Sequence, residues 1–405
     1  NTLTLHPIPS TFKILPWAHK TGWVQCQPAF PNGEWVPYDT RYQLIHALNK
    51  LSQHGLGMVC GLEIEFHIYK LRDPVHGENL DPDMAAWPGP SPCVSLIHPG
   101  FSLLSETCVD MAEEPLRIVQ HTAQALGLPL LSLEVEFGPS QVEAVFDATD
   151  ALTAADNMVL FRSAVKQALR RAGYHATFMC RPPFAHIMSS GWHLHQSLVH
   201  LSDGSNAMMR DTTAFATHTP PSNALHSLSA VGAHYLAGLL AHAPAMTALS
   251  TPTVNGYGRF QPNALAPQSA VWGRDNRGAM LRVIGQAGDT ATRIENRLGE
   301  PAANPYLYMA SQIHAGLHGI EQQLTPGPST DSPYTTHTSD NNEVDDTAAL
   351  DTTHTLTHHI PSNLQVAIQA LQSDTVMCDG FSEAFVHYYA RIKASEYQRF
   401  EAAQD

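Results

Sequence analysis

The sequence predicts an α+β protein: a curved antiparallel sheet, a partial barrel, with a charged concave side and helices on its flanks. Three observations predict it. First, Gly61-Leu-Glu-Ile-Glu-Phe-His-Ile-Tyr69 alternates strictly, with Leu62, Ile64, Phe66 and Ile68 on one side and Glu63, Glu65, His67 and Tyr69 on the other. Period two is a strand with one apolar and one polar face. Two carboxylates side by side on a strand repel, and glutamate is a poor strand former, so the pair is tolerated where a cation lies between them. Second, the device recurs. Leu131 to Phe137 sets Ser132, Glu134 and Glu136 against Leu131, Leu133, Val135 and Phe137. After a turn at Gly138-Pro139-Ser140, Gln141 and Glu143 share a face. His193, His195 and Ser197 align in Trp192–Leu198, and Arg293, Glu295 and Arg297 align in a last strand. Third, amphipathic helical segments separate these strands. One such strand alone would read as a solvated sheet face; four describe a cavity. Carboxylates with an imidazole suit Mg²⁺ or Mn²⁺ better than zinc, and arginines on the same face suit phosphate and carboxylate.

In chain order, residues 1–40 are rich in Pro and Trp, with short strands over Ser10–Trp17 and Gly22–Cys26 before an Asn32-Gly33 turn. Arg41 to His54 is an amphipathic helix with Leu44, Ala47, Leu48 and Leu51 on one side. Residues 71–100 read as loop. Glu113 to Leu126 is helical. Ala154 to Ala172 is a long helix with Met158, Phe161, Val165 and Leu169 inward, and its Arg170-Arg171 pair sits where the helix dipole favours cations. Thr219 to Met246 reads as one helix carrying His226, His234 and His242 near one face; with no carboxylate beside them, packing is favoured over a metal stripe. Asn304-Pro305 is an N-cap and first-turn pair opening a helix to about Leu324. Residues 325–361 are polar and expected to form a mobile surface segment. Asn363–Leu371 and Glu383–Phe400 close the chain as helices.

Bulk composition limits the partners. The 405 residues, 43% hydrophobic, suffice for one large catalytic domain, and a net charge of −15 with 22 Lys+Arg argues against nucleic acid. Local arginine clusters are therefore read as sites. Six scattered cysteines without C-x-x-C fit free thiols in a reducing cytoplasm. No apolar run reaches membrane-spanning length, so no membrane partner is expected. The chain begins at Asn1, and its natural start is expected upstream.

Eight segments resemble the glutamine synthetase family in family order across residues 10–320: Gly61–Phe66, Glu136–Glu143, Phe178–Pro182, Ser190–Leu198, Asn255–Arg259, Asn276–Arg282, Arg293–Arg297 and Asn304–Tyr306. The resemblance implies an ATP-dependent glutamate ligase. It implies that residues 41–405 are the catalytic domain and that residues 1–40 are the remnant after an N-terminal β-grasp domain largely missing from this chain. It also implies a homo-oligomer, a dodecamer of two hexameric rings, with active sites shared between subunits. In such a site a neighbour's Asp helps hold ammonium.

The resemblance further implies roles. Glu63, His193 and Glu295 match one metal site, and Glu65, Glu136 and Glu143 the other, for two or three Mg²⁺ or Mn²⁺ per site. His195 matches a phosphate contact of ATP and Ser197 a neighbour of adenine. Arg277 and Arg282 match phosphate-binding arginines, and Arg293 a further nucleotide contact. Arg259 matches the residue at the α-carboxylate of L-glutamate and Arg297 that at the γ-carboxylate. Ser189 offers a backbone carbonyl to an ammonium group. Glu134 is placed at the rim and Arg274 is left as a surface arginine.

Departures from the family pattern point to the amine. Met188-Ser189-Ser190-Gly191 replaces Asn-Gly-Ser-Gly, Arg181 replaces a Lys, and Gly299-Glu300 replaces Pro-Asp. Ammonia-using members carry a Glu in the flap where this chain has Leu265. Ammonium must be held as a cation and deprotonated, which a carboxylate serves and Leu265 does not; an apolar side chain suits a hydrocarbon group. The expected substrate is therefore an organic aryl or alkyl amine, as in γ-glutamylanilide and γ-glutamylalkylamide synthetases. The alternatives are ammonia, a polyamine, and an inactive structural or sensing protein. Retention of all six metal residues favours catalysis.

Overall fold

The computed structural model describes residues 2–72, 91–212, 227–261, 266–331, 333 and 359–403. Four short strands open the chain: β1 (Thr4–Pro7), β2 (Lys13–Ile14), β3 (Gly22–Trp23) and β4 (Cys26–Ala29), with β1 paired to β4 and β2 to β3. They dock through a polar knot. Arg41 donates two hydrogen bonds of 2.9 Å to Asp156, and the Tyr306 hydroxyl lies 2.7 Å from Asp156 and 3.0 Å from Gln25.

Helix α1 (Thr40–Gln53) begins where Asp39 accepts the Tyr42 N–H at 2.9 Å, and it buries Leu44, Ala47 and Leu51. It leads into β5 (Leu56–Leu71), whose Leu62, Ile64, Phe66 and Ile68 are all buried. Next come β6 (Val94–Leu96), α2 (Glu106–Ala125), β7 (Leu130–Val135), β8 (Gln141–Asp150), α3 (Ala151–Arg171), β9 (Tyr174–Thr177) and β10 (Trp192–His200). Helices α4 (Ala230–Ala241) and α5 (Ala243–Ser250) precede β11 (Trp272–Arg274), β12 (Leu281–Ile284) and β13 (Arg293–Gly299). Helices α6 (Pro305–Glu321), α7 (Leu364–Ser373), α8 (Thr375–Phe381) and α9 (Glu383–Glu401) close the chain.

Strands β5 to β13 form one nine-stranded sheet in the order β11-β12-β13-β10-β5-β8-β7, with β6 and β9 also paired to β5. Every pairing in it is antiparallel except the short β11–β12 pair. That parallel pair makes the sheet mixed rather than purely antiparallel, and its open path means that it is not a closed barrel. Its apolar face packs on the helices through an aromatic cluster: Phe66 stacks on Phe178 at 4.9 Å and meets Phe161 edge-on at 6.0 Å. Such pairs are favoured beyond their area alone. The opposite face carries the polar side chains.

Several sequence expectations change. The loop over 71–100 contains β6, while residues 73–90 lie outside the described ones. The helix expected from Glu113 starts at Glu106, capped by Ser105. Leu131 is 64% exposed rather than inward. The β7–β8 register shifts between Leu130 and Ser132, and such a bulge turns side chains from one face to the other. The single helix expected over 219–246 is two, α4 and α5, broken at His242 ahead of Pro244; residues 213–226, with His226, are outside the described set. His242 does have a carboxylate partner, Asp374, at 2.6 Å, and its other nitrogen lies 2.9 Å from His318. The helix expected to reach about Leu324 ends at Glu321. Part of the expected mobile segment is anchored, with Trp272 donating to Gly327 at 3.2 Å and Thr330 to Trp272 at 2.9 Å; residues 332 and 334–358 are not described.

Candidate active site

Register builds the site. Across β5 and β10, Glu63 faces His193 and Gly61 faces His195. Across β10 and β13, His195 faces Glu295, which faces Arg282 on β12. Across β5 and β8, Glu65 faces Glu143, which faces Glu134 on β7. One polar face therefore runs from arginine through glutamate and histidine to a carboxylate cluster. An irregularity between Trp192 and Leu194 in the β10–β13 pairing falls at His193. The β5–β10 register is unbroken, so His193 and His195 share one face of β10 and both turn to Glu63, at 3.3 and 2.9 Å.

Charge is unevenly balanced along this face. Glu295, fully buried, is gripped by Arg297 and by Arg282, the latter at 3.0 Å, and it lies 3.8 Å from His193. Burial opposes its charge, but Arg297 and the nearby histidines outweigh that and hold its carboxyl below the usual range. Glu63 is likewise held low, because hydrogen bonds from His193 and His195 overcome its burial. His193 is pushed down to about 4 by burial and by the neighbouring Arg297. It is neutral at pH 7, the form that ligates metals. The other end lacks positive charge. Burial raises Glu65 to about 7, with Arg259 opposing and Glu136 adding to the shift. Burial and the surrounding Glu65, Glu63, Glu136 and Glu134 raise Glu143 to about 9. Burial also raises Glu136.

Two groups bring ligand atoms within 4.8 Å of one another: Glu63 with Glu143 and His193, and Glu63 with His195 and Glu295. The donors are carboxylate oxygens and imidazole nitrogens without thiolates, a set that fits hard divalent cations. A cation shared between Glu65 and Glu143 would favour their charged forms and lower both carboxyls.

Three of the five expected nucleotide residues gather at one cavity, which Arg277 and Arg282 do not line. His195, Ser197 and Arg293 line a space of about 510 Å³ with Gly61, Phe146 and Leu131. Gly61, opposite His195, leaves its floor without a side chain. Arg293 Nε donates to His195 Nδ1 at 3.0 Å. Asn206, which the sequence reading missed, builds the wall: it donates to the Thr290 and Thr292 carbonyls at 2.9 and 2.8 Å and accepts from Ser197 at 3.2 Å. Its only signal in the sequence is its place in a Ser-Asn turn. Arg282 is tied to Asp275 as well as to Glu295. Arg277 is exposed, and its charge is felt at Glu136.

At the far end, Arg259 is buried and donates to the Leu298 and Gly299 carbonyls at 3.3 and 3.1 Å. Gly191 makes room for it, since a Cβ there would fall 2.6 Å from Arg259 Nη2. Arg297 Nε is buried and has no hydrogen-bond partner among the described residues, so an N–H donor is left for something else in the site. The Ser189 carbonyl accepts from Gln141 at 3.3 Å, and Arg181 reaches the Ser189 hydroxyl at 3.0 Å. Leu265 lies outside the described residues.

Comparison with known proteins agrees with this geometry. Residues 37–405 match the catalytic domain of glutamine synthetase. The chain is 38% identical over 404 residues to a γ-glutamylanilide synthase of Acinetobacter sp., spanning 98% of this chain and 74% of that protein. It is 31% identical to a glutamine synthetase of Halobacterium salinarum over 99% of this chain and 80% of that protein. The ligand-free structure of GmaS superposes with a TM-score of 0.76 at 28% identity, covering 99% of this chain and 82% of that one. A sheet that lines up carboxylates, histidines and arginines in this order, and a match over nine-tenths of the sequence, establish that the chain belongs to the glutamine synthetase family.

Proposed function

We propose that this protein is an ATP-dependent ligase that joins L-glutamate to an organic, aryl or alkyl, amine. The observation that carries the reading is the convergence of Glu63, Glu65, Glu143, His193 and Glu295 on one sheet face beside a cavity of about 510 Å³. The 38% identity to a γ-glutamylanilide synthase supports the choice of amine.

In this reading ATP occupies the cavity, with its base beside Ser197 and its phosphates toward His195, Arg293, Arg282 and Arg277. Glu63, His193 and Glu295 hold one Mg²⁺ or Mn²⁺, and Glu65, Glu136 and Glu143 another. Bound there, the ions screen the charge that moves as the γ-phosphate passes to glutamate. Arg259 binds the α-carboxylate, and Arg297, with its uncommitted Nε, receives the γ-carboxylate. Phosphoryl transfer gives γ-glutamyl phosphate and ADP. The amine nitrogen then attacks the acyl carbon, phosphate leaves, and the nitrogen loses a proton. The Ser189 carbonyl and the Glu65 carboxylate face the incoming nitrogen. An aryl amine is neutral at pH 7 and arrives ready to attack, and the position where ammonia-using members of the family carry Glu is Leu265 in this sequence.

Six free cysteines fit a cytoplasmic setting, and no helix among the described residues is long and apolar enough to cross a membrane. The assembly expected of the family is a dodecamer of two hexameric rings, and a monomer at micromolar concentration in light scattering contradicts it. The activity test measures phosphate release with ATP, glutamate and each of ammonium, isopropylamine, a polyamine and aniline. An organic amine is expected to give the highest kcat/KM. A clear preference for ammonium overturns the reading of the amine, and no phosphate release with any amine overturns the ligase.

A further inference from the structure

Gln141 sits at the start of β8, 3% exposed, two residues before Glu143. Its side-chain oxygen accepts the Gly138 N–H at 2.9 Å. That bond fixes the orientation of the amide, so its NH₂ group points into the site. There Nε2 lies 3.0 Å from Glu65 Oε2, 3.0 Å from the Ser190 hydroxyl and 3.3 Å from the Ser189 carbonyl. Glu65 Oε2 also accepts the Gly191 N–H at 2.8 Å. One oxygen of Glu65 is thus committed to the scaffold. The other, Oε1, faces His193 Nε2 at 3.9 Å and is the one left for a cation.

The backbone of Gln141 is equally engaged: its carbonyl accepts from the Glu136 N–H at 2.9 Å and from His98 at 3.1 Å. Gly138 is required for this packing. A Cβ there would collide with the Gln141 side-chain oxygen and fall 2.7 Å from Met188 Cβ.

We propose that Gln141 is a positioning residue that sets the Glu65 carboxylate for its cation and, through the same NH₂ group, holds the Ser189 carbonyl beside the place where the amine nitrogen arrives. The proposal rests on the ligase reading above. Gln141 touches no substrate; it acts by dividing the labour of the two Glu65 oxygens. Hydrogen-bond partners of metal ligands typically matter 10- to 100-fold for affinity.

The test is Mn²⁺ titration calorimetry of the full chain without substrates. Gln141→Met keeps the volume and removes the donors; Gln141→Asn is too short to reach Glu65 and answers the same question if the Met variant does not fold. Both are expected to weaken one class of Mn²⁺ sites about 10- to 100-fold and to leave the class at Glu63, His193 and Glu295 within about twofold. Excess Mn²⁺ is expected to restore much of the lost turnover, which a merely structural defect would not allow. Ser190→Ala, which removes a different acceptor of the same NH₂, is expected to leave Mn²⁺ affinity unchanged. Folded Gln141 variants that bind Mn²⁺ like the unaltered protein overturn the proposal. An unaltered protein that binds no Mn²⁺ overturns the ligase reading instead.

Discussion

Glu65 and Glu143 are direct cross-strand partners on β5 and β8, two carboxylates opposed on one face of the sheet. Like charges in that position are destabilising, and both carboxyls titrate high: burial raises Glu65 to about 7, and burial with Glu65 and the other nearby carboxylates raises Glu143 to about 9. In an unfolded chain each would titrate near ~4.3. Their contribution to stability is therefore fully present below the unfolded value and is lost as pH rises through about 7 and then about 9.

The first prediction follows. Metal-free protein should lose thermal stability between pH 6 and pH 9, and saturating Mg²⁺ or Mn²⁺ should flatten the loss. Binding of the cation must displace protons from Glu65 and Glu143, so affinity should rise with pH across the same window. Calorimetry in two buffers of different ionisation enthalpy reads the released protons. A pH-independent affinity with no proton release contradicts the assignment.

Glu143→Gln removes a carboxyl that the folded metal-free chain must keep protonated at pH 8, and with it one metal ligand. Metal-free protein at pH 8 should melt a few degrees higher, while amine-dependent phosphate release should fall on the order of 100-fold or more, as expected when a cation worth several kcal/mol is lost. Near-normal turnover would remove Glu143 from the site.

Arg297→Met tests the buried ion pair. Glu295 is fully buried and, when Arg297 is gone, keeps one arginine among the described residues, Arg282 at 3.0 Å, with His193 at 3.8 Å. Breaking a buried pair by removing one partner typically costs about 3–5 kcal/mol, and denaturant unfolding should show a loss at the lower end of that range. Turnover should fall as well, since the Nε donor disappears. A loss below about 1 kcal/mol would mean that Arg282 neutralises Glu295 by itself.

Leu265→Glu tests amine choice. A carboxylate at position 265 should raise kcat/KM for ammonium relative to aniline, by about tenfold or more if it both holds the cation and takes its proton. An unchanged ratio in a variant that retains ATP and glutamate binding assigns amine choice to other residues.

Much of the site was legible in the sequence because a strand has a strict period. Alternation alone placed Glu63 and Glu65, His193 and His195, and Arg293, Glu295 and Arg297 on common faces, and the family order of the motifs joined those faces. What alternation cannot supply is register. That Glu65 meets Glu143, that His195 meets Glu295, and that both histidines turn to Glu63 depend on pairings between segments up to 132 residues apart. The bulge that exposes Leu131 changes the period itself, and a periodic reading has no means of seeing it. Asp374 became the partner of His242 because two helices distant in sequence pack together. The sequence by itself determined which groups are available to the chemistry, since the side chains and their strand faces are local properties. Only the tertiary structure decided which of them are opposed, buried and short of positive charge, because burial and electrostatics are sums over neighbours that the chain meets only when it is folded.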